Sequence, residues 1–356
     1  MSAPRLIISA GGTGGHIFPG IAVAQEWVAM GGEVLFIGAR GGMEERVVPA
    51  AGFTLETVKA APMKGMAVKD RARGALALPA GVWATTGILR RFRPSVVLGM
   101  GGYASFATCA AASALRVPLV ICEQNSIPGL ANRILGHTAD RICTSFLNSA
   151  SFFPRAKVRH TGNPISKRHV AAAATRSTIS ALTRIVVLGG SGGARFLNQT
   201  LAPDLARWAA ANPDVDLLLQ TGRAREAEVT ITAPANLKVT GFVDDVPSLL
   251  ADSSLYIGRS GAGAIFEVCA LALPSILIPF PGAADQHQEH NARVLANADA
   301  AVLMPQDSYQ SDRFLELLDD LKRRPERLVA MSAAAKRLAR PEAAAAVVEV
   351  LKGVCR

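Results

Sequence analysis

Short β-branched runs closed by glycine clusters, each leading into a stretch of helical periodicity, set the rhythm of this chain. Arg5-Leu-Ile-Ile-Ser9 runs into Ala-Gly-Gly-Thr-Gly-Gly and then a helical pattern through Met30, which predicts a strand, a glycine loop and a helix. The same phrase returns at the midpoint as Arg184-Ile-Val-Val-Leu188, Gly-Gly-Ser-Gly-Gly and a second helical stretch, with Ser191 standing 178 residues after Thr13. Further strands are expected at Glu33–Ile37, Ser95–Leu98, Pro118–Ile121 and Arg141–Thr144 in the first half. In the second they are expected at Val215–Leu219, Leu237–Thr240, Ser254–Ile257, Ser275–Ile278 and Ala301–Leu303. Alternating strands and helices predict an α/β protein with two Rossmann-like, doubly wound parallel-sheet domains facing across a cleft. The expected domains are 1–163 and 164–339, joined through His160-Thr-Gly-Asn-Pro164 and an Ala/Thr/Ser-rich stretch to Thr183. The Ala-rich helix at about 340–356 is expected to pack back on the first domain.

Composition narrows the class. The 356 residues exceed what one hydrophobic core serves, and 50% hydrophobic with only 5% aromatic fits helices packed on parallel strands. The five cysteines are scattered and never form Cys-x-x-Cys, so neither a disulfide framework nor a zinc ribbon is indicated and a reducing cytoplasm fits best. Leu6 to Ala10 is too short for a secretory h-region, and no window is long and apolar enough to span a bilayer, so any membrane role is peripheral. The net charge of +10 calls for an anionic partner. Between Val58 and Pro94, Lys59, Lys64, Lys69, Arg71, Arg73, Arg90, Arg91 and Arg93 face a single acid, Asp70. Met63, Met66, Leu76, Leu78, Val82, Trp83, Ile88 and Leu89 interleave with them, a mixture suited to anionic headgroups and acyl chains. A solvated basic helix over ordinary core is the competing interpretation. Without interleaved stacking aromatics or a binding module, nucleic acid is not an expected partner.

Ligands of open parallel sheets bind beyond the carboxyl ends of the strands, where four loops stand out: Gly11–His16, Gly99–Ser105, Gly189–Gly193 and Arg259–Glu267. Their glycines let a backbone approach a diphosphate. A nicotinamide dehydrogenase is disfavoured, because the third fingerprint glycine is replaced by Ile17 and Gly38, Ala39 and Arg40 follow the second strand where an acid belongs; Arg40 would suit only a 2′-phosphate. Neither loop has a P-loop Lys-Ser/Thr tail. If Ala262 starts a helix, its amides face a phosphate and Glu267, one and a half turns in, accepts from ribose hydroxyls; the competing role is a carboxylate that merely favours the helix dipole. His16, at a helix start where the neutral imidazole is favoured, is the first candidate for general base, and Glu123 in Cys-Glu-Gln-Asn125 is the competing carboxylate. Asp285, His287 and His290 lack further ligands at helical spacing, so no metal is expected.

Taken together, these phrases resemble the MurG family of peptidoglycan glycosyltransferases, in glycosyltransferase family 28. The matching runs are Gly-Gly-Thr-Gly-Gly-His-Ile-Phe-Pro-Gly20, Gly-Gly-Tyr-Ala-Ser105, Glu-Gln-Asn125 and Thr-Gly-Asn-Pro164. They continue through Gly-Gly-Ser-Gly-Gly-Ala194, Arg-Ser-Gly-Ala-Gly263 and Pro279-Phe-Pro-Gly-Ala-Ala-Asp-Gln-His-Gln288 and cover almost the whole length. The resemblance implies a GT-B fold, with an acceptor- and membrane-binding first domain and a UDP-sugar-binding second one. It implies inverting, metal-independent transfer of N-acetylglucosamine from UDP-GlcNAc to undecaprenyl-diphospho-muramoyl-pentapeptide, with no cofactor. The donor positions it implies are Thr13, Gly14, Gly15, Asn125, Ser166, Ser191, Val243, Ala262, Gly263, Ala264, Ile265, Phe266, Glu267 and Gln288. On the acceptor or catalytic side it implies His16, Tyr103, Glu123 and Asn132. Ser166 stands where the family usually has arginine, with Lys167 and Arg168 following, and Gly282 stands where histidine is common. The implied location is the cytoplasmic face of the inner membrane, with cell-wall and division proteins as partners. Another lipid acceptor such as diacylglycerol, and a non-catalytic sugar-nucleotide-binding subunit, are the alternatives.

Overall fold

The computed structural model describes residues 3–58 and 68–355, with the backbone alone for 68–78, 103 and 104. Lys59, Met63, Lys64 and Met66 of the basic segment lie outside the described residues, as do the side chains of Lys69, Asp70, Arg71, Arg73, Leu76, Leu78 and Tyr103. The chain divides into two compact units, one of Met1–Ser166 with Pro341–Arg356 and one of Lys167–Arg340.

The first unit runs β1 (Arg5–Ser9), α1 (Gly14–Ala29), β2 (Glu33–Ala39), α2 (Glu44–Ala50), β3 (Thr54–Val58), α3 (Val68–Phe92) and β4 (Val96–Gly99). It continues with α4 (Tyr103–Ala114), β5 (Leu119–Glu123), α5 (Leu130–Thr138), β6 (Arg141–Thr144) and β7 (Val158–His160). Its sheet is parallel in the order β3-β2-β1-β4-β5-β6-β7, so the connections reverse direction between β1 and β4. The central strands carry apolar runs because helices cover both faces.

The second unit runs α6 (Lys167–Thr175), β8 (Arg184–Leu188), α7 (Ala202–Ala211), β9 (Asp216–Gln220), β10 (Leu237–Thr240), α8 (Val246–Ala251) and β11 (Leu255–Gly258). It continues with α9 (Ala262–Ala270), β12 (Ser275–Leu277), α10 (His287–Ala296), β13 (Ala301–Leu303), α11 (Ser311–Arg323) and α12 (Pro325–Leu338). The order β10-β9-β8-β11-β12-β13 again reverses, between β8 and β11. The final helix, α13 (Ala343–Lys352), belongs to the first unit, where it packs on α1 and sends Val347, Val348 and Leu351 into the core with Trp27 and Val23.

The periodicity places eleven of the thirteen strands among the described residues within a residue or two. It passes over β3, whose Thr-Leu-Glu-Thr-Val is half-buried at the sheet edge, and β7, only three residues long with Arg159 and His160 in it. In the basic segment, Val58, Ile88 and Leu89 are core and Val82 packs against them, so these are not available to acyl chains. Trp83 is instead 81% exposed, and Arg91 Nη2 donates to both carboxylate oxygens of Glu56, at 2.6 and 2.7 Å.

Candidate active site

In the first unit the loops at the β1/β4 switch point lie against each other. Gly102 has φ +87°, and a Cβ there would come within 2.3 Å of the Gly11 carbonyl oxygen, so only glycine allows this approach. His16 stands in the first turn of α1 with Nδ1 3.0 Å from the Gly11 oxygen and 3.4 Å from Thr13 Oγ1. A nitrogen that donates to a carbonyl carries the proton, so the lone pair sits on Nε2, beside Gly101. No side chain caps the N-terminus of α1, which presents the Gly14 and Gly15 amides. The next loop is tied in by Gln124, whose Nε2 donates to the Met100 carbonyl at 2.9 Å.

Glu123, at the end of β5, is 2% exposed and holds its own loop together. Oε1 accepts from the Asn125 N–H at 2.9 Å and Oε2 from Asn132 Nδ2 at 2.8 Å and the Gly129 N–H at 3.3 Å. Burial raises its pKa above the ordinary carboxylate value, opposed by the hydrogen bonds from Asn125, Asn132 and Gly129. Asn132 is also buried and spends its second amide hydrogen on the Cys122 carbonyl at 3.0 Å. Glu123, Asn125 and Asn132 thus form one connected cluster beside the His16 loop.

In the second unit, α9 begins with Gly261 as its N-cap, and no side chain caps it. Its first hydrogen bond runs from the Ile265 N–H to the Gly261 carbonyl at 3.1 Å, so the amides of Ala262, Gly263 and Ala264 point out of the helix end. Ile265 and Phe266 are buried in the core and Glu267 is partly exposed. The loop after β8 packs equally tightly, since a Cβ on Gly193, at φ +68°, would reach within 1.7 Å of the Thr221 carbonyl. Ser191 at its tip is exposed. Gln288, at the start of α10, joins the α9 loop: its carbonyl accepts from Ser260 Oγ at 2.7 Å and its Oε1 from the Phe280 N–H at 3.0 Å. Arg259, pKa lowered by burial, donates to the Ile278 and Pro279 carbonyls and to Gln306 Oε1, each at 3.0 Å, so it clasps neighbouring loops.

Val243 lies half-buried in the loop after β10, just before Asp245, which caps α8. Ser166 immediately precedes α6, and Arg168, two residues on, pairs with Asp245 at 2.9 Å. Sequence reasoning passed over His169. It is buried on α6, with Nε2 3.8 Å from Glu267 Oε2. The two lie far apart in the chain, so only the packing of α6 on α9 reveals the pair. His287 Nδ1 lies 2.7 Å from the Ala284 carbonyl, and among the described residues no group of three His, Cys, Asp or Glu side chains could hold a metal ion.

Residues 6–144 match the glycosyltransferase family 28 N-terminal domain and residues 184–347 the family 28 C-terminal domain. The chain is 38% identical over 353 residues to a protein of Geobacter sulfurreducens, covering 97% of each. That protein is named UDP-N-acetylglucosamine--N-acetylmuramyl-(pentapeptide) pyrophosphoryl-undecaprenol N-acetylglucosamine transferase. A protein of the same name from Stutzerimonas stutzeri is 38% identical, with 98% of each chain covered. Among solved structures, MurG of Acinetobacter baumannii superposes with a TM-score of 0.79 at 26% identity, over 98% of this chain and 99% of that one. A UDP-GlcNAc 2-epimerase from Neisseria meningitidis, at 16% identity and a TM-score of 0.68 over 98% of this chain and 100% of that one, shares the fold alone. With both family domains present in order and relatives matched end to end, the chain belongs to the MurG family within glycosyltransferase family 28.

Proposed function

We propose that this chain transfers N-acetylglucosamine from UDP-GlcNAc to the 4-hydroxyl of the muramoyl sugar in undecaprenyl-diphospho-muramoyl-pentapeptide, with inversion at the anomeric carbon. The observation that carries the donor assignment is the uncapped N-terminus of α9 with Glu267 one and a half turns in. The amides of Ala262, Gly263 and Ala264 receive the diphosphate and stabilise the charge that develops on it as it leaves. Glu267 accepts from the ribose hydroxyls, and Val243 lies beside the uracil. On the family resemblance, Gln288 and Ser191 are assigned to the donor as well, as are Thr13, Gly14, Gly15 and Asn125.

The acceptor belongs to the first unit, with Tyr103 and the loop held by Glu123 and Asn132. His16 Nε2 takes the proton of the 4-hydroxyl as its oxygen bonds to the anomeric carbon, and the bond from that carbon to the diphosphate oxygen breaks with its electrons passing to UDP. The α9 amides already turn partial positive charge toward the leaving group, so the step is written without a metal. Glu123 is a loop anchor in this scheme, because its oxygens are occupied by the cluster that shapes the acceptor loop.

The enzyme sits on the cytoplasmic face of the inner membrane through the first unit, where cell-wall and division proteins are the expected company. The support is chemical: Trp83 on α3 and Leu130 and Ile134 on α5 are exposed, and the same helices carry exposed Arg90 and Arg133. No helix among the described residues is long and apolar enough to cross a membrane.

The test is transfer of radiolabelled GlcNAc from UDP-GlcNAc to a soluble muramoyl-pentapeptide lipid analogue in excess EDTA. Wild type should retain full transfer, and Glu267→Ala should lose on the order of tenfold or more in kcat/KM as buried ribose contacts vanish. Abolition by EDTA would overturn the metal-free step, and an unimpaired Glu267→Ala would overturn the donor assignment.

A further inference from the structure

Glu267 has a neighbour with no part in the scheme above. His169 projects from α6 into the packing between α6 and α9, and its side chain is only 10% exposed. Its Nε2 lies 3.8 Å from Glu267 Oε2, longer than a hydrogen bond and close enough for an ion pair to form with a small side-chain shift. The charged groups facing the imidazole are Glu267 from α9, Asp245 from the N-cap of α8 and Arg168 from its own helix. Arg168 is itself engaged by Asp245 at 2.9 Å, so the consecutive residues Arg168 and His169 bridge the loop carrying Val243 and the helix carrying Glu267.

We propose that His169 is a positioning residue for the donor sugar nucleotide. In its neutral form it flanks the Glu267 carboxylate and leaves both oxygens to the ribose hydroxyls. Protonated, it draws the carboxylate into an ion pair that competes with them. The inference rests on Glu267 being the ribose ligand.

The direction with pH follows from the surroundings of the ring. Burial lowers the pKa of His169 below its ordinary 6.5; the Glu267 and Asp245 charges work against that, and Arg168 adds to it. The imidazole is therefore neutral near pH 7.5 and gains its proton as the pH falls through the lowered value. Donor affinity should decline over that acid range. By linkage, bound donor should in turn lower the pKa of His169 by the same factor.

The experiment measures UDP-GlcNAc binding by calorimetry at about pH 7.5 and about pH 5 for wild type, His169→Gln and Glu267→Ala. UDP-GlcNAc is the probe because its diphosphate, unlike that of UDP, has no proton to lose in this range. Wild type should lose affinity on acidification, by up to about tenfold for a one-unit shift in a single linked group, and His169→Gln clearly less than wild type. An unchanged pH dependence in His169→Gln overturns the proposal. Glu267→Ala reports separately: wild-type affinity at pH 7.5 would mean that the ribose assignment itself is wrong. Should the buried substitution impair folding, the His169 ring resonance in wild type provides the second readout. It should titrate at lower pH with UDP-GlcNAc present, and an identical titration with and without it overturns the proposal.

Discussion

At the scale of single residues, the two candidate bases separate by what already holds them. His16 is held through Nδ1 by the Gly11 carbonyl, which puts its lone pair on Nε2. Glu123 is buried with both oxygens accepting from its own loop. His16→Ala should cost about 10²–10⁴-fold in kcat while UDP affinity changes little, as for removal of a general base. Glu123→Gln should keep far more turnover than His16→Ala, with its main effect on acceptor KM. A stability signature accompanies it. The folded pKa of Glu123 is raised by burial, so its contribution is fully present below the unfolded value of 4.5 and lost as pH rises through the folded value. The stability difference between wild type and Glu123→Gln, followed by thermal unfolding, should therefore shift in favour of Gln as pH rises from about 4.5 to 7. A difference independent of pH, with turnover as low as in His16→Ala, would put Glu123 back in the proton-transfer role. Glu123, His16 and Glu267 were legible in the sequence because each ends or follows a strand–loop phrase. His169 was not, because a histidine in an Ala-rich helix has no local mark and acquires its meaning only from α9.

At the scale of elements, the sequence announced the switch-point loops through their glycines, and the coordinates explain why those positions need them. Gly102 is the sharpest case. An alanine there must adopt φ +87° and place its Cβ 2.3 Å from the Gly11 oxygen, a backbone atom that cannot rotate away. Gly102→Ala should lower stability by about 1–3 kcal/mol and raise acceptor KM, because the β1 and β4 loops have to part. Unfolding in denaturant together with steady-state kinetics checks this, and a variant with wild-type values would show that the loops do not depend on that approach. At Gly12, also at positive φ but with open space where a Cβ would stand, alanine should be opposed by backbone strain alone. Edge elements were less legible than central ones: β3 and β7 lack the continuous apolar run of a strand buried on both faces. The apolar positions of α3 were misleading for a related reason, since composition cannot tell a side chain facing the sheet from one facing outward.

At the scale of the whole molecule, the two halves repeat one design with one asymmetry. The first unit takes its last helix, α13, from the far end of the chain, so α1, α2 and α13 cover one sheet face and α3, α4 and α5 the other. Trp83 and the pair Leu130 and Ile134 therefore stand on the outward sides of helices on the same face of one sheet. Phe152 is also exposed, and Arg133 lies over its ring at 4.8 Å. A net charge of +10 adds attraction to any anionic surface, worth about 1 kcal/mol for each cation that comes near it. Sedimentation with phosphatidylglycerol vesicles should show binding that weakens steeply between about 50 and 500 mM salt, while neutral phosphatidylcholine vesicles bind little. Trp83→Ser and Leu130→Ser should each weaken binding about tenfold or more at low salt, since each removes an apolar side chain that burial in the interface stabilises by about 1.5–3 kcal/mol. Loss in Trp83→Ser alone would confine the membrane face to α3 and its basic neighbours. Equal binding of both variants and wild type would show that charge alone holds the enzyme at the surface, with no side chain of this face entering the headgroups.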